Sequence, residues 1–218
     1  RRIFSVEEID MSEGSWLILA QAGYQLQPVA VELRSSGYLF NNRGHRSISE
    51  KISDAVNGWE QLRKGKEVTG AVARKIYSYM STKDRIARGF KTLPTLEDTD
   101  FVNLETLIAD HGLLATTDMV WHIAMDRMPE SERAYIIAML RRGERFNGEA
   151  RITVSTIHGA KGGEADNVVL FTDLSPAAEA QMNINPDDTH RVFYVGVTRA
   201  KQSLFIVEPQ DFTRSYDL

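Results

Sequence analysis

Trp16-Leu17-Ile18-Leu19-Ala20, Val168-Val169-Leu170-Phe171 and Leu204-Phe205-Ile206-Val207 are short runs of apolar residues alone. A strand with one wet face alternates apolar and polar side chains, because successive side chains point to opposite sides. An unbroken apolar run of this length predicts a strand covered on both faces, as in a parallel sheet packed between helices. The segments between the runs agree. After the first comes a helical stretch with Leu26, Val29 and Leu33 on one face, ended by Gly37 before a second short strand at Tyr38-Leu39-Phe40. The chain therefore opens as a β-α-β unit. Arg151 to Ser155 alternates as a further strand. A helix is predicted from about Pro186 to Lys201, with Asn185 as its cap, Pro186 at its first position, and Asp187 and Asp188 at the positive end of its dipole. The class is α/β, a mainly parallel sheet with helices on its faces.

From about 42 to 147 the period changes to helices only. Ser47-Ile48-Ser49-Glu50 reads as a capping box, followed by Ile48, Ile52, Val56, Trp59 and Leu62 at helical spacing and Gly65 as a stop. Further stripes are Val72, Ile76 and Tyr79; Phe101, Leu104, Leu107 and Ile108; Val120, Trp121, Ala124 and Met125; and, after Pro129, Tyr135, Ile136, Met139 and Leu140. Such stripes are core far more often than binding surface. The expected organisation is a sheet domain in two parts, 1–41 and 148–218, with a helical insertion at 42–147 that carries no chemistry.

Composition narrows the function classes. The chain has 218 residues, 42% hydrophobic and 26% charged, the balance of an ordinary globular protein that buries a core. Its formal charge is −4, so contact with nucleic acid has to be local or shared with another domain. There is no cysteine, which excludes disulfides, thiolate metal sites and a cysteine nucleophile. The five histidines are dispersed, with no His-x-x-x-His pair, and no metal site is read. No apolar run approaches the ~20 residues that span a bilayer, and no signal-peptide pattern opens the chain. Arg1 rather than Met at the start reads as an excised or processed piece.

Chemistry concentrates in two stretches. Thr156-Ile157-His158-Gly159-Ala160-Lys161-Gly162-Gly163-Glu164 leaves one strand and leads into the next, so it begins at a carboxyl strand end, where α/β sheets bind ligands. Gly159, Gly162 and Gly163 permit positive φ and close backbone approach. Thr156, His158 and Lys161 offer donors suited to phosphate oxygens, and Glu164 an acceptor for a sugar hydroxyl or a water. On composition alone, a glycine-rich turn with a solvated Lys and Glu remains the plainer reading. It is not a P-loop: Lys161 follows Ala160, and the only Gly-Lys pair, Gly65-Lys66, is followed by Glu67. Without a P-loop, Asp173 after the strand 168–171 reads as a cap or turn residue rather than a metal holder. In the second stretch, Asp187 to Lys201, Arg191 and Arg199 fall close to one helical face. A guanidinium there either answers the helix dipole or serves a phosphate as an arginine finger, and spacing does not choose between them.

Together, Thr156 to Glu164 with Val168-Val169-Leu170, and Arg191 with Tyr194-Val195-Gly196-Val197-Thr198-Arg199-Ala200-Lys201, resemble motifs V and VI of the UvrD/Rep family of superfamily 1 DNA helicases, in spacing and in order. The resemblance implies the second RecA-like (P-loop NTPase-type) motor domain, with an inserted helical subdomain. It implies Arg199 at the γ-phosphate of ATP and Glu164 at the ribose or γ-phosphate side, with Gly162 and Gly163 lining the nucleotide. Thr156, His158 and Lys161 would meet single-stranded DNA. ATP and Mg²⁺ would be held mainly by an N-terminal RecA-like domain absent from this chain, leaving the piece alone inactive. The Ala-Lys of motif V resembles the 3′–5′ branch. The family further implies the cytoplasm of a bacterial or phage-infected cell and no membrane partner.

Three departures stand out. Gly163 replaces a Leu, which is expected to loosen the loop. Thr189-His190 replace a Glu-Arg pair, and Gln21-Ala22-Gly23 stand where the family often has Arg-Thr-Asn, removing a polar contact. The motor portion of a helicase–nuclease and an inactive interaction module that kept the fold are the competing readings; an intact Arg199 and Glu164 count against the second.

Overall fold

The computed structural model describes residues 1–160, 162–209 and 211–218. Among them, seven strands form the main sheet: β1 (Arg2–Ile3), β2 (Trp16–Ala20), β3 (Phe40–Asn42), β4 (His45–Arg46), β7 (Ile152–Thr156), β8 (Ala165–Phe171) and β9 (Ala200–Val207), in the order β1-β9-β8-β2-β7-β3-β4. All neighbours are parallel except the β3–β4 hairpin. The α/β class and the mainly parallel sheet are as the apolar runs predict. β2 is buried at every position and its side chains divide between two cores. Ile18 and Ala20 pack with Val29 and Leu33 of α1 (Gln27–Ser35), whereas Leu17 and Leu19 pack with Phe193 of α8 (Pro186–Val197) and Ala178 of α7 (Pro176–Ile184).

The chain divides into two compact units, Arg1–Ser47 with Ile137–Leu218, and Ile48–Ile136. The second lies inside the expected span 42–147, because the β3–β4 hairpin completes the main sheet and residues from 137 onward group with the first unit. It holds α2 (Glu50–Arg63), α3 (Gly70–Ser78), α4 (Leu104–Asp110), α5 (Trp121–Ala124) and the start of α6 (Glu130–Arg141). It is not helical throughout: β5 (Val68–Thr69) and β6 (Phe101–Val102) pair antiparallel. Ile52, Val56, Trp59 and Leu62 are buried as the stripe predicts. In α3 the buried face is Ala73, Ile76 and Tyr77 rather than Val72, Ile76 and Tyr79, and Phe101 and Ile108 are exposed.

Local signals explain the other differences. The cap of α2 is Ser49, whose Oγ accepts from the Ile52 amide at 3.3 Å. Ser47 Oγ accepts from the Phe40 amide instead, tying off the hairpin, so no box forms from Ser47. β3 starts at Phe40, since Tyr38 closes the end of α1 through its amide to Leu33 O and accepts the Met11 amide on its Oη. Sequence reading also missed α7, although Ser175-Pro176 is a cap followed by a first-turn proline; Ser175 Oγ accepts from the Ala178 amide. Ser175 rather than Asp173 is the cap of α7, while Asp173 bridges to Ser215 and its carbonyl accepts from Gln25. Among the described residues no helix is long and apolar enough to cross a membrane.

Candidate functional site

β7 and β8 both lie parallel beside β2, so the connection 157–164 must travel from the carboxyl end of one to the amino end of the other across a sheet face. Ile157 and Ala160 anchor it there, buried against Leu17, Leu19 and Phe193. The Ile157 amide donates to Ala20 O at 2.9 Å, and the Ala160 amide to Thr156 O at 3.0 Å. Thr156 Oγ1 accepts the Gly159 amide at 3.0 Å. The glycines differ in their reasons. A Cβ on Gly159 would stand 2.7 Å from Ser155 Oγ and 3.1 Å from Thr156 Oγ1, so close approach excludes a side chain. Gly162 has φ +79°, which glycine adopts at no steric cost. Gly163 has neither constraint, since its nearest neighbour would be Ala160 O at 3.5 Å. The departure from Leu at this position therefore leaves an open site in the loop rather than a forced one.

The candidate residues separate onto two ends of the sheet. Half-buried Thr156 and exposed His158 stand at the carboxyl end of β7. Lys161 lies outside the described residues. Glu164 stands at the amino end of β8, with Oε2 3.6 Å from Lys201 Nζ, and both side chains are more than half exposed. Screening leaves such a pair worth about 0–1 kcal/mol, so Glu164 is loosely held. Lys201 is not recognisable from sequence as the partner of Glu164, because the pairing follows from the β8–β9 register, Ala165 opposite Ala200.

α8 delivers Arg199 to the same end. Asn185 has an extended cap conformation, but its side chain donates to Asp188 Oδ2 at 3.3 Å instead of accepting an amide. The helix stops at Val197, with Thr198 as cap, so Arg199 lies beyond it and does not share a helical face with Arg191. Arg191 is exposed and reaches Asp188 at 3.7 Å. Gly196 lets the last turn sit close to β8; a Cβ there would stand 3.1 Å from Leu170 Cδ1. Arg199 O then accepts the Ala165 amide at 3.1 Å, fixing the residue beside Glu164. Its Nε is buried and has no hydrogen-bond partner among the described residues. A buried, unpaired charged donor is costly, and it suits a group that receives an anion. The two departures in α8 face elsewhere: Thr189 is buried, and His190 Nδ1 is 2.7 Å from Tyr216 Oη. Gln21 is also engaged, its Oε1 accepting the Ser175 amide at 3.2 Å.

A cleft of about 1030 Å³ follows the connection between these ends. Near its amino end lie Glu13, Glu149, Glu164 and Asp166. The Ser15 amide and hydroxyl, both donating to Asp166 Oδ2, hold that carboxyl below the usual carboxylate range. At the other end is Arg43, which the sequence reading did not single out. Among the described residues no group of three His, Asp or Glu side chains could hold a metal ion. Residues 119–210 match the family model described as the UvrD-like helicase C-terminal domain. No curated protein matches the chain.

Proposed function

We propose that this chain, whose residues 119–210 match the UvrD-like helicase C-terminal domain, is the second RecA-like half of an ATP-dependent DNA helicase or translocase of 3′–5′ polarity. The observation that carries the reading is Arg199: a half-buried guanidinium with an unpaired Nε, fixed through its backbone beside the end of the 157–164 connection. In this reading an N-terminal RecA-like domain supplies the phosphate cradle and holds ATP with Mg²⁺. The chain has no Gly-x-x-x-x-Gly-Lys-Ser/Thr of its own, and no metal-binding cluster among its described residues. Arg199 stabilises charge on the transferring phosphoryl group, an electrostatic contribution larger in the transition state than in the ground state. Glu164 accepts from the ribose or from a water on the γ-phosphate side, while Gly162 and Gly163 allow close backbone approach.

Thr156 and His158 meet single-stranded DNA at the other end. The Thr156 hydroxyl already accepts from Gly159, and this leaves its O–H free to donate to a phosphate oxygen. Because one connection joins the ends, closure on nucleotide shifts the strand contact, and each ATP advances the protein. The test is single-strand-stimulated ATP turnover. The protein carrying both halves is expected to hydrolyse ATP with stimulation by single strands; the 218-residue chain by itself is expected neither to hydrolyse ATP nor to bind it tightly. Strand-stimulated turnover by the pure chain contradicts the proposal.

A further inference from the structure

Between Glu32 and Glu50 the sequence holds no carboxylate, in a chain of net charge −4. That stretch builds a hollow of about 600 Å³ whose lining includes Arg34, Arg43, His45 and Arg46 and no acidic residue. Two of the guanidiniums are engaged: Arg34 Nη1 donates to Ser47 O at 2.7 Å, and Arg46 Nη2 to Phe146 O at 2.7 Å and Gly148 O at 3.0 Å. Arg43 makes no hydrogen bond or ion pair through its side chain among the described residues. It lines both this hollow and the cleft along the 157–164 connection.

Its backbone is unusual. Arg43 and Gly44 form the two-residue tip of the β3–β4 hairpin, with φ of +52° and +87°. The first position of such a tip favours Asn, Asp or Gly, and a long side chain there accepts strain of about 1 kcal/mol or more. The Arg43 amide donates to Val154 O at 2.9 Å, holding the tip against β7. Its Nη1 lies 3.1 Å, and its Cζ 3.4 Å, from where a Cβ on Gly23 would stand. Gly23 follows β2, and β7 lies between β2 and β3. The guanidinium therefore arches over the carboxyl end of β7, where Thr156 leaves the sheet. Below it, Ala22 and Gly23 have no polar side chain, and Gln21 turns its Oε1 to accept the Ser175 amide. The four carboxylates of the cleft belong to the amino ends of β2, β7 and β8.

We propose that Arg43 is a phosphate clamp for the sugar–phosphate backbone of single-stranded DNA, occupying the space left by Gly23 and leading the strand past Thr156. This rests on the strand-binding reading above and adds to it a residue and a path. A planar guanidinium presents paired donors to a phosphate, and this contact carries no base information.

Anisotropy titrations of a labelled oligothymidylate from 50 to 200 mM salt, with the chain and its Arg43→Gly and Thr156→Val variants, test it. Glycine keeps the positive φ without strain, and melting curves confirm that the variants are folded. Arg43→Gly is expected to bind about tenfold more weakly. Its log–log salt slope should fall by about 0.7, the value for one phosphate contact on a single strand, equally for mixed sequences. Arg43→Lys should keep most of the slope. If Arg43→Gly binds with unchanged affinity and slope while Thr156→Val is weakened, the clamp is overturned and the strand-binding reading stands. No binding by the wild-type chain overturns both. Inorganic phosphate that competes as well as the oligonucleotide, through Arg43, makes the hollow a small-anion site and also overturns the clamp.

Discussion

The two ends of the main sheet differ in charge and in how far their cations are committed. At the amino ends, Glu13, Glu149, Glu164 and Asp166 line the cleft, and the nearby cations are mostly paired: Arg151 with Glu144 at 2.9 Å, Lys201 with Glu164 at 3.6 Å. At the carboxyl ends of β3 and β7, Arg43, Thr156 and His158 face outward from a stretch that contains no acid between residues 32 and 50. The second end suits the phosphate backbone of a strand, while at the first the donor that the proposed function assigns to a phosphoryl group is Arg199. The residues proposed for nucleotide and for strand thus stand at opposite ends of one sheet, joined by the connection 157–164.

Gly159→Val strikes that connection and should break the separation. Its added atoms meet Ser155 Oγ and Thr156 Oγ1, both beside the buried end of β7. Overpacking of this kind costs about 1–3 kcal/mol, and at about 2–4 °C per kcal/mol for a chain of this size the melting temperature should fall by several degrees. Strand affinity and ATP turnover of the full protein should fall together; an unchanged melting curve would falsify the close approach at Gly159.

Gly163→Ala probes the same loop where it is open. Its φ is unexceptional, and among the described residues nothing stands closer than 3.5 Å to the added methyl. Alanine restricts the unfolded chain without straining the native one, so stability should rise by about 0.4–1 kcal/mol. Both readouts should stay near wild type. Destabilisation measured by urea titration contradicts the open site.

The sheet was legible in the sequence because burial on both faces writes itself as unbroken apolar runs, and Leu17 and Leu19 do face one core while Ile18 and Ala20 face the other. Helix edges were less so. Ser47 and Ser49 both precede Glu50, and only tertiary pairing with Phe40 removes Ser47 from the cap. Of the candidate residues, Thr156, His158, Glu164 and Arg199 could be named from two contiguous motifs. Their division between opposite sheet ends could not, because it depends on β7 and β8 flanking β2. The helix end at Val197, which takes Arg199 off the face of Arg191, is likewise decided by the strand that begins at Ala200. Arg43 was silent for a similar reason: its nearest relevant neighbour, Gly23, lies on the far side of β7.

Arg199→Ala in the protein carrying both halves tests the account most directly, with ATP turnover and single-strand affinity measured on the same preparation. Turnover should fall by about 10³-fold, the range for loss of an arginine finger, with strand affinity within about twofold of wild type. Arg199→Lys should rescue poorly, because an ammonium lacks the planar fork that holds two phosphate oxygens. Normal turnover in Arg199→Ala, accompanied by no more than the ~1 kcal/mol stability loss of a helix-end cation, would contradict it.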